Sequence, residues 1–162
     1  MQGTVLTVGI ADMKVSNDPD STLVTYSLGS CLGILVYDPS VRVGGLLHIM
    51  LPSANDDREK KDFNPYKFVD TGVPLLFKET YKYNAKKNRM RVAVTGGAQI
   101  LDESGYFNIG KRNLAELRKL FWKNGVLIDK EHVGGSVSRT VRLNIFDGSI
   151  TVSICRDKVI VL

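Results

Sequence analysis

Apolar and polar positions alternate in short stretches over the first 50 residues, with turn-forming residues between them, the signature of half-buried strands. The pattern predicts strands over residues 4–10, 12–15, 23–26, 32–37 and 43–50, with turn signals at Asn17, Pro19, Asp38 and Pro39. Residues 52–64, PSANDDREKKDFN, carry few apolar positions and read as a mobile loop in solvent, close behind His48.

Beyond Pro65 the period changes. Phe68, Val69, Leu76, Phe77 and Tyr81 recur near 3.6 residues and predict a helix over 65–83, kinked or restarted at Gly72 and Pro74. Residues 91–95 form a short apolar run, a buried strand that ends in Gly96 and Gly97. A second helix is expected over 110–123, with Leu114, Leu117, Leu120 and Phe121 inward and Gly125 as its stop. The tail is β again, over 126–133, 139–146 and 150–155, the last two joined across Asp147-Gly148, a pair favoured in tight hairpins. Strands, two principal helices and strands once more give an α/β layered sandwich with a mainly antiparallel or mixed sheet, not a doubly wound parallel one. No repeat or linker interrupts the chain, so residues 1–162 read as one domain.

Composition narrows the class. A chain of 162 residues with 43% hydrophobic and 24% charged content buries a core without disulfides or metal. No apolar run approaches the ~20 residues of a membrane span, and the first residues lack a signal-peptide layout. The expectation is a cytoplasmic protein with no membrane insertion. Cys31 and Cys155 lie too far apart in sequence for a metal cluster or a disulfide framework. A net charge of +5 is modest for a nucleic-acid binder, and no nucleic-acid partner is expected. Lys78, Lys82 and Lys86 share one helical face, and Lys111, Arg112, Arg118, Lys119 and Lys123 gather around the second helix. They form either a solvated face or a docking surface for acidic helices.

The stretch TYSLGSCLGILVYD places Cys31 between Gly29 and Gly33, where a small-residue turn gives way to an apolar run. If Asp38-Pro39-Ser40-Val41 connects two antiparallel strands and Tyr37 pairs with Arg42, Cys31 falls directly opposite His48 on the same face. An imidazole there can take the proton of a thiol that is mostly neutral at pH 7. A third group must hold the imidazole in one tautomer, and Thr25, Ser27 and Ser30 all qualify. Backbone amides of the turn, around Ser27, Gly29 and Ser30, are natural oxyanion donors, and the Gly96-Gly97 pair can admit a substrate backbone. Each feature also has a plainer reading: a buried structural thiol, a satisfied core histidine in LLHIMLP, and glycines that serve tight turns. Cys155, in the regular strand TVSIC, reads as packing, and His132 has no metal-ligand partners at suitable spacing.

At these residues the chain resembles the CheD family of chemoreceptor glutamine deamidases. SLGSCLG is similar to its cysteine turn, GLLHIMLP to its histidine strand, GGAQI to its central element, NIGKRN to the start of its second helix, and VGGSVSRTVRLNIFDGSITV to its C-terminal hairpin. The resemblance implies a fold related to bacterial toxin cysteine deamidases. It implies Cys31 as nucleophile, His48 as general base and acid, and Thr25 as the orienting member, with no metal or organic cofactor. It implies methyl-accepting chemotaxis receptors as substrates, their glutamines converted to glutamates with release of ammonia, by a protein monomeric when free. It also implies an alternative, a regulatory adaptor for the CheC phosphatase. Departures lie in the charged segment 56–61 and in Tyr26 and Ser27, where the family often has smaller or apolar residues.

Overall fold

The computed structural model describes residues 3–99, 108–155 and 157–162. Ten strands and two α-helices follow in the order β1 (Thr4–Thr7), β2 (Asp12–Ser16), β3 (Ser21–Leu28), β4 (Leu32–Asp38), β5 (Val43–Ile49), α1 (Val69–Tyr81), β6 (Arg91–Gly96), α2 (Ile109–Lys123), β7 (Lys130–Val133), β8 (Arg139–Asn144), β9 (Ile150–Cys155) and β10 (Lys158–Val161). They make an α/β layered structure with two five-stranded mixed sheets, ordered β1-β3-β8-β9-β10 and β2-β5-β4-β6-β7. Among the strands of the described residues, β1 with β3 and β6 with β7 run parallel and the other pairs antiparallel. None of the helices among the described residues is long and apolar enough to cross a membrane.

Two apolar layers follow from the alternation along β4, whose seven residues are all buried because both faces are covered. Leu32, Ile34 and Val36 point with Leu47 and Ile49 of β5 toward the helices, where Val73, Leu76, Phe77, Leu117 and Phe121 close the core. Leu35 and Tyr37 point the other way, with Leu46, into a layer shared with Leu23, Leu28, Val141, Leu143 and Val152 of the other sheet. The candidate site belongs to this second, inter-sheet layer.

Several elements depart from the sequence pattern. The β4–β5 connection is shifted by one residue at both ends from the expected 38–41. Asp38 pairs with Val43, so the connection is residues 39–42 and Gly33, not Cys31, lies opposite His48. The Asp38 carboxylate accepts the Ser40 amide at 2.9 Å and Arg42 takes a left-handed φ of 51°, which together delay the start of pairing. The helix expected over 65–83 begins with a separate 3-10 turn, Pro65–Lys67, and then α1 runs unbroken through Gly72 and Pro74. Pro74 lies in the second turn, where its missing N–H removes a single intrahelical bond. The loop expected to move freely is tied down: Ser53 and Arg58 bond the Asp70 carboxylate near the start of α1, Ala54 donates its amide to it, and Asn64 donates to Ala11 O. The run expected over 126–133 pairs only from Lys130, the β8–β9 connection spans five residues, 145–149, and β10 adds a strand. Cys155 is exposed, not packed.

Candidate functional site

Cys31 occupies the turn just before β4, His48 sits one residue from the end of β5, and Thr25 lies in β3 of the facing sheet. A β-bulge shapes the approach to Cys31. Thr25 pairs with Val141 and Leu28 with Arg139, so Tyr26 and Ser27 together oppose Thr140 alone. Ser27 takes a left-handed φ of 58° and is thrown outward with Tyr26, while Thr25 and Leu28 stay buried. The register between β4 and β5 differs from the expected one by two residues, and an even shift preserves the face. Cys31 therefore packs against the same inter-sheet layer into which His48 points.

The hydrogen bonds around His48 settle its tautomer. Thr25 is fully buried, and its hydroxyl has one hydrogen, which it donates to Val8 O at 2.7 Å. The same oxygen lies 2.7 Å from His48 Nδ1. With its only proton spent, Thr25 Oγ1 must accept there, so Nδ1 carries the hydrogen and Nε2 presents a lone pair. Among the described residues Nε2 is buried without a hydrogen-bond partner. The ring is 1% exposed, and burial lowers its pKa from 6.5 to about 4, so the imidazole is neutral at pH 7. Burial also raises the pKa of the half-buried Cys31 thiol, against a smaller lowering effect of its own backbone N–H. The resting pair is thus neutral thiol and neutral imidazole, with no hydrogen bond between them.

Cys31 opens into a cleft of about 750 Å³ whose walls are mainly backbone and small side chains: the turn from Ser27 to Cys31, Gly97 and Ala98, the start of α2, and the Gly134-Gly135 turn. Lys111 contributes a cation. His48 and Thr25 do not line the cleft and lie behind Cys31. Of the residues singled out for substrate contact, Ser27, Gly29, Ser30 and Gly97 line the wall, whereas Gly96 packs behind it. Gly96 has φ +103°, and a Cβ there would lie 2.2 Å from Cys31 O. Gly97 N donates to Cys31 O at 2.9 Å and Ala98 N to Gly29 O at 2.8 Å, strapping the cysteine turn to the end of β6. Those two amides are consumed. The amides of Ser30 and Cys31 donate to no carbonyl among the described residues, and the Cys31 N–H instead faces its own sulfur, where it lowers the thiol pKa.

Two buried polar residues escaped the sequence reading. Arg139 is 3% exposed and donates to Gly96 O at 3.2 Å, Gly134 O at 2.7 Å and His132 Nδ1 at 2.9 Å, which ties two cleft walls together. The alternation of its strand was the available signal, since Arg139 shares the inward face with Val141 and Leu143. Asn113 of α2 is fully buried and donates its amide hydrogens to Ser30 O and Met50 O, each at 3.0 Å. A lone Asn on the apolar face of a helix was the available signal, since Leu117 and Phe121 share that face.

Known proteins match this chain along most of its length. The family model described as CheD chemotactic sensory transduction matches residues 50–154. The chain is 51% identical over 145 residues, 90% of its length and 91% of the relative's, to a Syntrophus aciditrophicus protein named probable chemoreceptor glutamine deamidase CheD 1. It is 46% identical to a Solibacter usitatus protein named probable chemoreceptor glutamine deamidase CheD, over 88% of this chain and 85% of that one. A Methanococcus maripaludis protein of the same name is 37% identical over 91% of this chain and 94% of its own. A solved Neisseria meningitidis structure of the DUF152 family aligns with 83% of this chain and 63% of its own, at a TM-score of 0.47 and 10% identity, too distant to inform the site. Matched along most of its length by proteins named as chemoreceptor glutamine deamidase CheD, the chain belongs to the CheD family.

Proposed function

We propose that this protein is a cysteine-dependent protein-glutamine deamidase that converts glutamine side chains of methyl-accepting chemotaxis receptors to glutamate. The relatives' names supply the reaction, and one observation carries it to these residues: the Thr25–His48 hydrogen bond leaves a buried, unprotonated Nε2 behind a cysteine that opens into a cleft. Because neither partner is charged at rest, the proton moves during attack. Cys31 Sγ adds to the glutamine Cδ as His48 Nε2 takes the thiol proton, and the Ser30 and Cys31 amides receive the oxyanion. The imidazolium returns that proton to the departing nitrogen, ammonia leaves, and a thioester remains. A water gives a proton to Nε2 as its oxygen adds to Cδ, and the imidazolium passes that proton to the departing sulfur, releasing glutamate and regenerating the neutral thiol and imidazole. The chemistry draws on these side chains and water alone.

Incubating the protein with a glutamine-bearing receptor fragment, and mapping amide-to-acid conversion by mass spectrometry alongside ammonia release, tests this reading. Turnover is expected from the parent and none from Cys31→Ala, which still folds and still binds the fragment. Deamidation by the alanine variant at the parent rate would overturn the cysteine mechanism. The absence of a Cys31–His48 hydrogen bond at rest favours a second reading, an adaptor that binds receptors or the CheC phosphatase without turnover. A parent protein that binds the fragment and releases no ammonia would select it.

A further inference from the structure

The ladder between β4 and β5 ends at Leu32 opposite Ile49, one step short of the cysteine. Beyond that pair β5 turns away, because the amides of Met50 and Leu51 both go to Lys67 O, at 2.8 and 3.0 Å. The nucleophile turn and the end of the histidine strand are therefore released from each other where their relative position matters most. One side chain bridges the gap. Asn113 Nδ2 donates one hydrogen to Ser30 O, next to the nucleophile, and the other to Met50 O, two residues beyond His48. Its orientation is fixed by chemistry, since a flipped amide would set Oδ1 against two carbonyl oxygens.

We propose that Asn113 is the positioning residue of the site, its carboxamide serving as an additional rung that holds the Cys31 turn at a set distance from the His48 strand. This rests on the reading of Cys31 and His48 as nucleophile and base. Its Oδ1 is buried without a partner among the described residues, so the carboxamide is held in place by the two hydrogens it donates to the two segments. The other side of the turn is already held by Gly97 and Ala98. Those bonds fix Cys31 to β6, however, and none of them reaches β5. Asn113 also connects the site to the cleft wall. It lies one turn into α2, whose Gly110 is so close to the end of β6 that a Cβ there would fall 2.4 Å from Gly97 O. The helix that frames the cleft thereby also sets the spacing of the two reacting groups.

The test uses Asn113→Ala and the nearly isosteric Asn113→Asp, which keeps the shape but turns oxygens toward both carbonyls. Deamidation of a glutamine-bearing receptor fragment is measured with each, in the parent and in a His48→Ala background. A displacement of about 1 Å between reacting groups costs about 100-fold. Both variants should therefore lose about 100-fold in kcat with KM changed less than threefold. Adding His48→Ala should cost little more, because a base out of reach has nothing left to lose. Alkylation of Cys31 by iodoacetamide gives a second readout that needs no turnover. His48→Ala should slow it in the parent and change it less than twofold in Asn113→Ala. Folded variants with parental kcat, effects additive with His48→Ala, or two variants that both fail to fold would overturn the proposal. A parent that releases no ammonia from the fragment would count against the deamidase reading, while the alkylation comparison would still decide the role of Asn113.

Discussion

His48 carries a measurable signature in stability. Its pKa is about 4 in the folded chain, lowered by burial, against an ordinary value of 6.5 when unfolded. Between those values the unfolded chain binds more protons, so stability is complete above pH 6.5 and falls as pH drops toward 4. The full loss is about 3 kcal/mol. Carboxylates titrate nearby, so urea unfolding of the parent and of His48→Asn should be compared at pH 7 and pH 4.5, and the variant should show the smaller decline. Equal declines would mean that the ring is hydrated and not the desolvated base described above. At this scale the sequence was informative about chemistry and silent about partners. Cys31, His48 and Thr25 were visible as residue types in a suggestive order, but on spacing alone Thr25 stood level with Ser27 and Ser30, and only the family resemblance singled it out before the fold faced it toward the ring. Ser27 is turned out by a bulge, which depends on a strand 112 positions away at Arg139 and could not be read locally.

The β4–β5 hairpin is the element on which the site depends, and its turn is controlled by one buried carboxylate. Burial alone would raise the Asp38 pKa, but Arg89 and the amides of Lys86 and Ser40 hold it below the usual carboxylate range. Arg89 reaches Asp38 at 2.8 Å while remaining partly exposed. Asp38→Asn should cost about 3 kcal/mol, the lower end for breaking a buried ion pair, because Arg89 can recover water. Chemical denaturation measures that cost, and a loss under 1 kcal/mol would show that the pair is dispensable. Strand and helix periods were legible because each element has one well-defined apolar face. The register was not, since it is set by the Asp38 cap and by the left-handed Arg42, and the assumed hairpin missed by two residues while keeping the face. The extra strand β10 and the shortened β7 were hidden for a related reason: both are four-residue edge strands whose pairing is decided by neighbours, not by their own pattern.

Across the whole molecule, the two sheets differ in how far apart in sequence their strands lie. In the sheet that carries Cys31 and His48, β4 and β5 form a local hairpin. In the other, β3 reaches β8 through pairs such as Thr25 with Val141, and β1 joins β3 in parallel. Loop-closure entropy makes the distant pairings slower. Pulse-labelled hydrogen exchange during refolding should find amides of β4 and β5 protected before those of β1 and β8, and simultaneous protection would contradict this order. The Thr25–Val8 hydrogen bond then acquires a temporal meaning. A nascent chain brings thiol and imidazole near each other early, but the hydroxyl that fixes the proton on Nδ1 arrives only with the late sheet. On the proposed reading of Cys31 and His48, a chain that has not finished folding has a thiol without a correctly poised base, and a half-made copy is chemically quiet among the cell's other glutamines.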